Sequence, residues 1–412
     1  MVMKMEKKYK KYSELLLSRG LDIKKGQPLL ICAPVETYEF IRILSECALE
    51  KGVTDIYFDW YDEELKHQQL LFLDKENLES SLFWNKKIYD EYAKKDAAFL
   101  MFVSDNPDIM SDIDSDKISF VSKVNRTSRP IYKMRQLTNE IAWCIASVST
   151  FGWANKVFNG ESDCINKLWD LIFDICLVCT NDPVESWNRK VCISNKRSNK
   201  LNELNFKNLH YTNSLGTDLN IGLSNNTIWH GAGDVMDDGR NIICNMPTEE
   251  IFTTPNRNMT NGCVYSSLPL VYNGVVIEDF MLEFKDGKVV KYDAKKGKDV
   301  LGSIINGDDN SCYLGEVALV EYDSPIRNSE VLFYTTLFDE NASCHLALGN
   351  GFPDSLNDTK NKSKDELIEM GINISDVHVD FMIGTNDLKI VGTTYDNKEI
   401  IIFENGNFVL DV

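Results

Sequence analysis

The first 180 residues alternate two hydrophobic periods. Apolar positions around Leu15 to Leu17 recur three and four apart, which predicts an opening helix. Pro28 to Ala33 is an unbroken apolar run, too short for a helix, and reads as a buried strand. Residues 37–51 return to the helical period, Gly52 closes that segment, and Asp55 to Asp59 gives a second strand run. After another helical stretch, Ala97 to Val103 repeats the strand signature. Strand, helix and strand at this spacing predict an α/β fold with a mostly parallel sheet. The texture changes after Asp182-Pro183. A polar helix over 186–204 leads into strand patterns at Val275 to Phe284, Lys288 to Tyr292 and Val317 to Tyr322. Turn signals at Asn273-Gly274, Asp286-Gly287 and Asn306-Gly307-Asp308 separate them. From Lys389 to Val412 the chain reads as hairpins turning at Asp396-Asn397 and Asn405-Gly406. The pattern predicts an N-terminal α/β domain over 1–183 and a C-terminal α+β domain over 184–412.

Composition leaves this picture intact: of 412 residues, 43% are apolar and 26% charged, ample for two cores. Charge adds to it. The balance of 44 Lys and Arg against 63 Asp and Glu gives a net −19, which argues against nucleic acid as a partner because phosphate neutralisation needs concentrated cations. No apolar run nears the roughly 18 residues of a membrane span. The basic start passes straight into an amphipathic helical pattern, without the apolar core of a signal peptide. Eleven cysteines, many inside apolar stretches (Cys32, Cys144, Cys244), read as small buried hydrophobes in a reducing cytoplasm. The one CxxC, Cys176 to Cys179, sits in an apolar helical pattern with no second pair and is assigned no zinc or redox role. The first half lacks the glycine motifs that cradle phosphates, so it reads as a scaffold or a substrate cap.

The acids cluster where the cations thin out. Between Lys298 and Lys360 eleven acids accompany a single basic residue, Arg327, and from Asp365 to Leu388 six more acids have no Lys or Arg among them. Most of these suit solvated loops, but three places do not. Glu316 lies in Leu314-Gly-Glu-Val-Ala-Leu319, a strand pattern apolar on both faces, so its carboxylate is expected to be buried. A buried carboxylate needs a partner or a proton, and a metal is an economical partner where no cation lies close in sequence. His378 and Asp380 stand two apart in a strand pattern and face one side together. Glu340 and His345 are five apart, about 140° on an ideal helix. They reach one site if Glu340 precedes a helix beginning near Ser343. Glu250, in Pro247 to Pro255, carries the weakest chemical signal, since paired acids at a Pro-bounded strand start usually face solvent.

Carboxylate and imidazole donors suit Zn, Mn or Co, and six candidates exceed what one tetrahedral ion uses. A carboxylate-bridged pair of divalent ions fits the number better, as in dinuclear hydrolases. The donor set by itself points no further than to a dinuclear hydrolase.

Six ordered segments support a more specific expectation: Gly216-Thr-Asp-Leu219, Asn245 to Pro255, Phe284-Lys-Asp-Gly287, Leu314 to Leu319, Thr336 to His345 and His378 to Gly384. Through them the chain resembles, over nearly its whole length, the metallo-aminopeptidases of the aminopeptidase T, aminopeptidase S and PepS group. The resemblance implies a cytoplasmic homodimer that removes N-terminal residues of broad identity from peptides. It also implies two divalent ions, Zn or Co being typical, in the C-terminal domain. Its ligand positions match Glu250, Glu316, Glu340, His345, His378 and Asp380, with Glu316 as the bridge. One position departs. Where the group has a tyrosine beside the metals, this chain has Phe352 in Gly349-Asn-Gly-Phe352-Pro353, which keeps the ring and loses the hydroxyl. Losing one oxyanion donor typically costs about 10²–10³ in turnover, so an active but slower enzyme is expected. The alternatives are a dinuclear hydrolase of another class, such as a phosphoesterase, and a non-enzymatic, metal-stabilised peptide-binding protein.

Overall fold

The structure is a computed structural model that describes residues 2–104, 106–225, 227–272, 275–360 and 362–410. The turn expected at Asn273-Gly274 and the last two residues of the C-terminal hairpins lie outside the described residues. The chain forms two compact units, Met1–Arg189 with Gly233–Pro247, and Lys190–Ala232 with Thr248–Val412.

The first unit runs α1 (Val2–Leu15), β1 (Leu29–Pro34), α2 (Tyr38–Glu50), β2 (Ile56–Tyr61), α3 (Glu63–Phe72), α4 (Lys75–Lys94) and β3 (Ala98–Val103). It continues through α5 (Ser115–Thr127), α6 (Pro130–Leu137), β4 (Trp143–Ser147), α7 (Phe151–Val157) and α8 (Cys164–Ile175). The strands pair in parallel in the order β2-β1-β3-β4. β1 and β3 are buried at nearly every position, as central parallel strands covered on both faces must be. α2 buries Phe40, Ile41, Leu44, Cys47 and Ala48, one stripe of a 3.6-residue period. The Asp62 and Asp74 side chains accept the Leu65 and Asn77 N–H groups and so start α3 and α4. The CxxC is not helical. α8 stops at Ile175, Leu177 takes a φ of 60°, and Cys176 is buried while Cys179 is exposed. Periodicity carried past the helix end because Cys176 and Val178 are apolar for the sake of the core.

The chain enters the second unit along α9 (Pro183–Leu204) and forms β5 (Phe206–Thr212) and β6 (Asp218–Gly222). The short pair β7 (Asp234–Val235) and β8 (Asn241–Ile242) lies in the segment that belongs with the first unit. Then follow β9 (Ile251–Thr253), β10 (Thr260–Tyr265), β11 (Leu270–Tyr272), β12 (Val275–Lys285), β13 (Lys288–Lys296), α10 (Lys298–Ile305) and β14 (Leu314–Leu319). The remainder is α11 (Pro325–Asn328), α12 (Thr336–Asp339), β15 (His345–Gly349), α13 (Lys364–Glu369), β16 (His378–Met382), β17 (Lys389–Thr394), β18 (Glu399–Glu404) and β19 (Asn407–Phe408). A large antiparallel sheet runs β11-β12-β10-β6-β5-β17-β18-β19, with β13 on β12. A smaller antiparallel sheet runs β16-β15-β14-β9. Val317, Leu319, Leu346, Leu348, Val379 and Phe381 on one face of the small sheet join Leu209, Ile221, Leu282 and Phe284 of the large sheet in a single core. That leaves the other face of the small sheet for chemistry. Among the described residues no helix is long and apolar enough to cross a membrane.

Candidate metal centre

Strand register builds the site. Glu316 on β14 lies opposite Ala347 on β15, and Ala347 lies opposite Asp380 on β16. Laterally paired residues share a face, so these three point one way, with His345 and His378 two residues back along their strands. Phe252 on β9 is opposite Ala318 on the same face, and Glu250, two residues earlier, enters from that side. The positions between the polar groups are Ala318, Ala347 and Gly349, whose small size leaves room above the sheet.

Two glycines make the geometry possible. The β14–β15 register shifts between Leu314 and Glu316, so Gly315 is the extra residue of a bulge that re-aims Glu316, and a Cβ there would collide with the Asn350 carbonyl. Gly349 has a φ of 101°, and a Cβ on it would strike the Val377 carbonyl just before His378.

The polar atoms converge in two overlapping groups, Glu250–Glu316–His345 and Glu316–His378–Asp380, with Glu316 common to both. His345 Nε2 is 3.2 Å from Glu250 Oε2. His378 Nε2 is 3.2 Å from Glu316 Oε2 and 3.3 Å from Asp380 Oδ1. The His345 side chain is 1% exposed and that of His378, on the rim, 31%. Among the described residues no Lys or Arg forms an ion pair with any of the four carboxylates, so the distant arginine that could have neutralised Glu316 is not there.

Glu340 arrives differently from expectation. The helix proposed to begin near Ser343 is instead strand β15, and Glu340 opens a short 3₁₀ turn, Glu340–Ala342. Extended Ser343 (φ −168°, ψ 173°) spans the gap to His345. All five residues of β15, an inner strand between β14 and β16, are buried, and such a run has no alternation to tell it from a helix. Glu340 stands outside the two donor groups yet close enough for Glu250, Asp380, His345 and Glu316 to act on its charge.

The electrostatics describe a cluster short of positive charge. Burial, reinforced by Asp380 and Glu250, pushes Glu316 up to about 7 against the pull of His378. Burial and the neighbouring carboxylates hold Glu340 well above the usual carboxylate range. Burial would lower His345, but Glu250, Glu316 and Asp380 outweigh it and raise the imidazole to about 10. The same contest, won by Asp380 and Glu316, raises His378 well above its ordinary value. Asp380, buried but beside both imidazoles, is lowered.

These residues fit a cation. His345 Nε2 and Asp380 Oδ1 are buried without a hydrogen-bond partner, although both lie near opposite charge. An orphaned polar atom of this kind needs an explanation, and a set of oxygen and imidazole donors supplies one. The other ring nitrogens are already engaged: His378 Nδ1–H donates to the Asn350 carbonyl at 2.8 Å, and His345 Nδ1 faces the Ser343 carbonyl at 3.4 Å. Both rings therefore present Nε2 to the site, the usual supporting arrangement for metal-binding histidines.

Sequence reasoning missed the support around the donors. Asn341 is fully buried; its Oδ1 accepts the Glu249 N–H at 2.7 Å, and its Nδ2 donates to the Leu337 carbonyl at 3.2 Å and to Glu340 Oε1 at 3.4 Å. It thereby ties the backbone beside Glu250 to the Glu340 turn, and nothing in the local sequence beyond its place next to Glu340 hints at this. Glu249 does not reach the site but pairs with Lys190. Phe352 packs edge-on to the His378 ring at 5.4 Å and to Phe252 at 5.2 Å, and its N–H donates to Thr254 Oγ1 at 2.7 Å.

Known proteins match this chain in sequence and, in one solved case, in fold. Residues 5–408 match the family described as thermophilic metalloprotease (M29). Aminopeptidase AmpS of Bacillus subtilis (strain 168) is 39% identical over 96% of this chain and 97% of its own length. Aminopeptidase 2 of Geobacillus stearothermophilus is 37% identical over 99% of each. The solved structure of wild-type AmpT from Thermus thermophilus superposes with a TM-score of 0.91 at 30% identity, covering 98% of this chain and 99% of that one. With a fold, a length and a family pattern shared from end to end, the chain belongs to the thermophilic metalloprotease (M29) family.

Proposed function

We propose that this metal-dependent aminopeptidase hydrolyses the N-terminal peptide bond of peptides with a free amino terminus, using two divalent cations held by Glu250, Glu316, Glu340, His345, His378 and Asp380. The observation that carries the dinuclear reading is that Glu316 belongs to both donor groups at once. Charge supports it as well: two divalent cations balance four carboxylates when both imidazoles are neutral. Zn, Co and Mn suit the donor set. When bound, such cations supply Lewis-acid polarisation of the scissile carbonyl and acidify a water.

The chain's own groups do the rest. His345 and His378 present Nε2 because carbonyls occupy their other nitrogens. The carboxylates attract the positive α-amino group of a substrate, which sets the cut at the chain's end. Glu250 and Glu340 are the carboxylates that carry a proton to the departing amine where either is not committed to a cation. The scarcity of Lys and Arg around the cluster disfavours a phosphoester substrate, which needs cationic clamps. The reading places a homodimeric enzyme in the cytoplasm, as the resemblance implies, with residues 184–412 supplying the catalytic metal-binding domain.

The test uses enzyme stripped by chelation and resupplied with Zn, Co or Mn. p-Nitroaniline is released from leucine p-nitroanilide only after resupply, and is not released from N-acetyl-leucine p-nitroanilide. Equal turnover of the two substrates, or full activity in chelator, overturns the reading.

A further inference from the structure

Glu249 and Glu250 are adjacent acids, and only the second joins the donor groups. The strand that follows them does not make that choice. β9 is paired with β14 only as far back as Ile251 opposite Leu319, and on its other side Phe252 and His230 exchange backbone hydrogen bonds at 2.9 and 3.1 Å. Ahead of Ile251 the two acids lie outside the ladder, where no strand pairing dictates which carboxylate turns to the functional face. Neighbouring residues of an extended chain point to opposite sides, so a one-residue exchange there would present Glu249 in place of Glu250.

What holds Glu249 back comes from α9, whose residues from Lys190 onward belong to the second unit. Lys190, Ser194 and Arg197 stand four and three residues apart, so they share one face of that helix. Each makes a tie within the unit. Lys190 pairs with the Glu249 carboxylate, Ser194 Oγ accepts the Ala232 N–H at 2.9 Å, and Arg197 donates to both oxygens of Glu321 at 2.8 and 3.1 Å. The Arg197 guanidinium also lies over the Phe408 ring at 4.6 Å. Lys190 therefore extends from a helix seated at several points, and its pair with Glu249 is largely buried, the two side chains being 17% and 15% exposed. From the other side Asn341 Oδ1 accepts the Glu249 N–H at 2.7 Å. With its charge and its backbone both engaged, Glu249 stays out of the cluster, while the Glu250 carboxylate stands 3.2 Å from His345 Nε2.

We propose that Lys190 is a positioning residue for the metal centre: by keeping the Glu249 carboxylate to itself, it makes Glu250 the acid of this segment that faces His345. The proposal rests on the metal-site reading above, since Lys190 has this role only if Glu250 holds a cation. Removing the ammonium leaves Glu249 as a largely buried, unpaired charge. Such a carboxylate is drawn to the cations held by its neighbour, and it reaches them only by rotating the Glu249–Glu250 peptide, which pulls Glu250 off its ion. Glu316, His378 and Asp380 are fixed by the pairing of β14, β15 and β16 and keep their places. The loss of Lys190 is therefore felt by the ion beside Glu250 and His345 and hardly by the ion beside His378 and Asp380.

The test is calorimetric titration of metal-stripped protein with cobalt, with thermal unfolding in chelator as the control for packing. Lys190→Met is expected to weaken one of the two cobalt ions at least tenfold and to leave the other within about threefold, the size of effect common for groups that orient ligands without touching the metal. Lys190→Met/Glu249→Gln, which removes the stranded charge as well, is expected to bring that ion back to within about threefold of wild type. A pair that serves stability alone would lower the unfolding temperature of the metal-free single variant and leave both cobalt affinities as they are. If Lys190→Met does not fold, Lys190→Gln decides. Wild-type affinity for both ions in the single variant, equal weakening of both, or no recovery in the double variant overturns the positioning role and leaves the metal site standing. Absence of cobalt binding in wild type overturns the metal-site reading, and the role of Lys190 with it.

Discussion

Replacing Glu316 by glutamine separates a metal ligand from a merely buried carboxylate, because the two roles predict opposite signs in metal-free and metal-loaded protein. The residue is 4% exposed, and its pKa rises from 4.5 to about 7. Above pH 7 an ionised Glu316 in the metal-free fold therefore costs on the order of 3 kcal/mol, since each tenfold change in proton affinity is worth about 1.4 kcal/mol. Glutamine has the same shape and no charge, so metal-free Glu316→Gln is expected to be more stable than wild type at pH 8. Loaded protein should behave the other way. A cation held at a thousand times its Kd stabilises by about 4 kcal/mol, and a hundredfold loss of affinity reduces that to about 1.4 kcal/mol. Thermal unfolding of both proteins at pH 8, in chelator and in excess cobalt, reads the two effects side by side. A variant destabilised equally in both conditions would show that Glu316 matters for packing alone. A variant as strongly stabilised by cobalt as wild type would remove Glu316 from the ligand set.

Acidity offers a second test: Glu316, Glu340, His345 and His378 all have raised pKa values in the metal-free fold. Their contributions to stability are full below the unfolded values and are lost as pH rises through the folded ones. Metal-free protein should thus weaken between about pH 4.5 and 10, while cation binding strengthens as its ligands lose protons. The stability gap between loaded and stripped enzyme should widen from pH 5 to pH 8, and a constant gap would contradict the protonation scheme. Asn341→Ala removes a buried partner from Glu249 N–H and Glu340, which should cost about 1–3 kcal/mol and weaken metal affinity about 10–100-fold by calorimetry. Undiminished affinity would make Asn341 a structural residue only. Phe352→Tyr adds a hydroxyl to a ring that already packs on His378 and is expected to raise kcat tenfold or more; an unchanged kcat would confine that position to packing.

The placement of much of the candidate site was legible in the sequence for reasons that the fold makes plain. Glu316 stood out because its strand is apolar on both faces, and all six residues of β14 are buried. His378 and Asp380 stood out because period two is preserved in β16, whose apolar residues Val379 and Phe381 turn to the core. The parallel sheet was equally readable, since short apolar runs alternate there with helical stripes such as that of α2. What the sequence hid depends on long-range contacts. The Glu340–His345 spacing was assigned to a helix because an inner strand such as β15 carries no alternation. Glu250 could not be told from Glu249 until Lys190, 59 residues away, claimed the latter. The ties through Asn341 and the carbonyl of Asn350 carry no pattern along the chain at all, because each is made by groups brought together only by folding.

In the proposed centre, six side chains from four stretches of chain hold two cations with Glu316 between them. Crystals of the cobalt- or zinc-loaded protein, measured at the metal's absorption edge together with elemental analysis of the dialysed enzyme, decide whether they do. Two anomalous peaks per chain, both in contact with Glu316, with His345 beside one and His378 beside the other, are the predicted result. A single peak would contradict the dinuclear centre, and no peak among these residues would contradict the metal site itself.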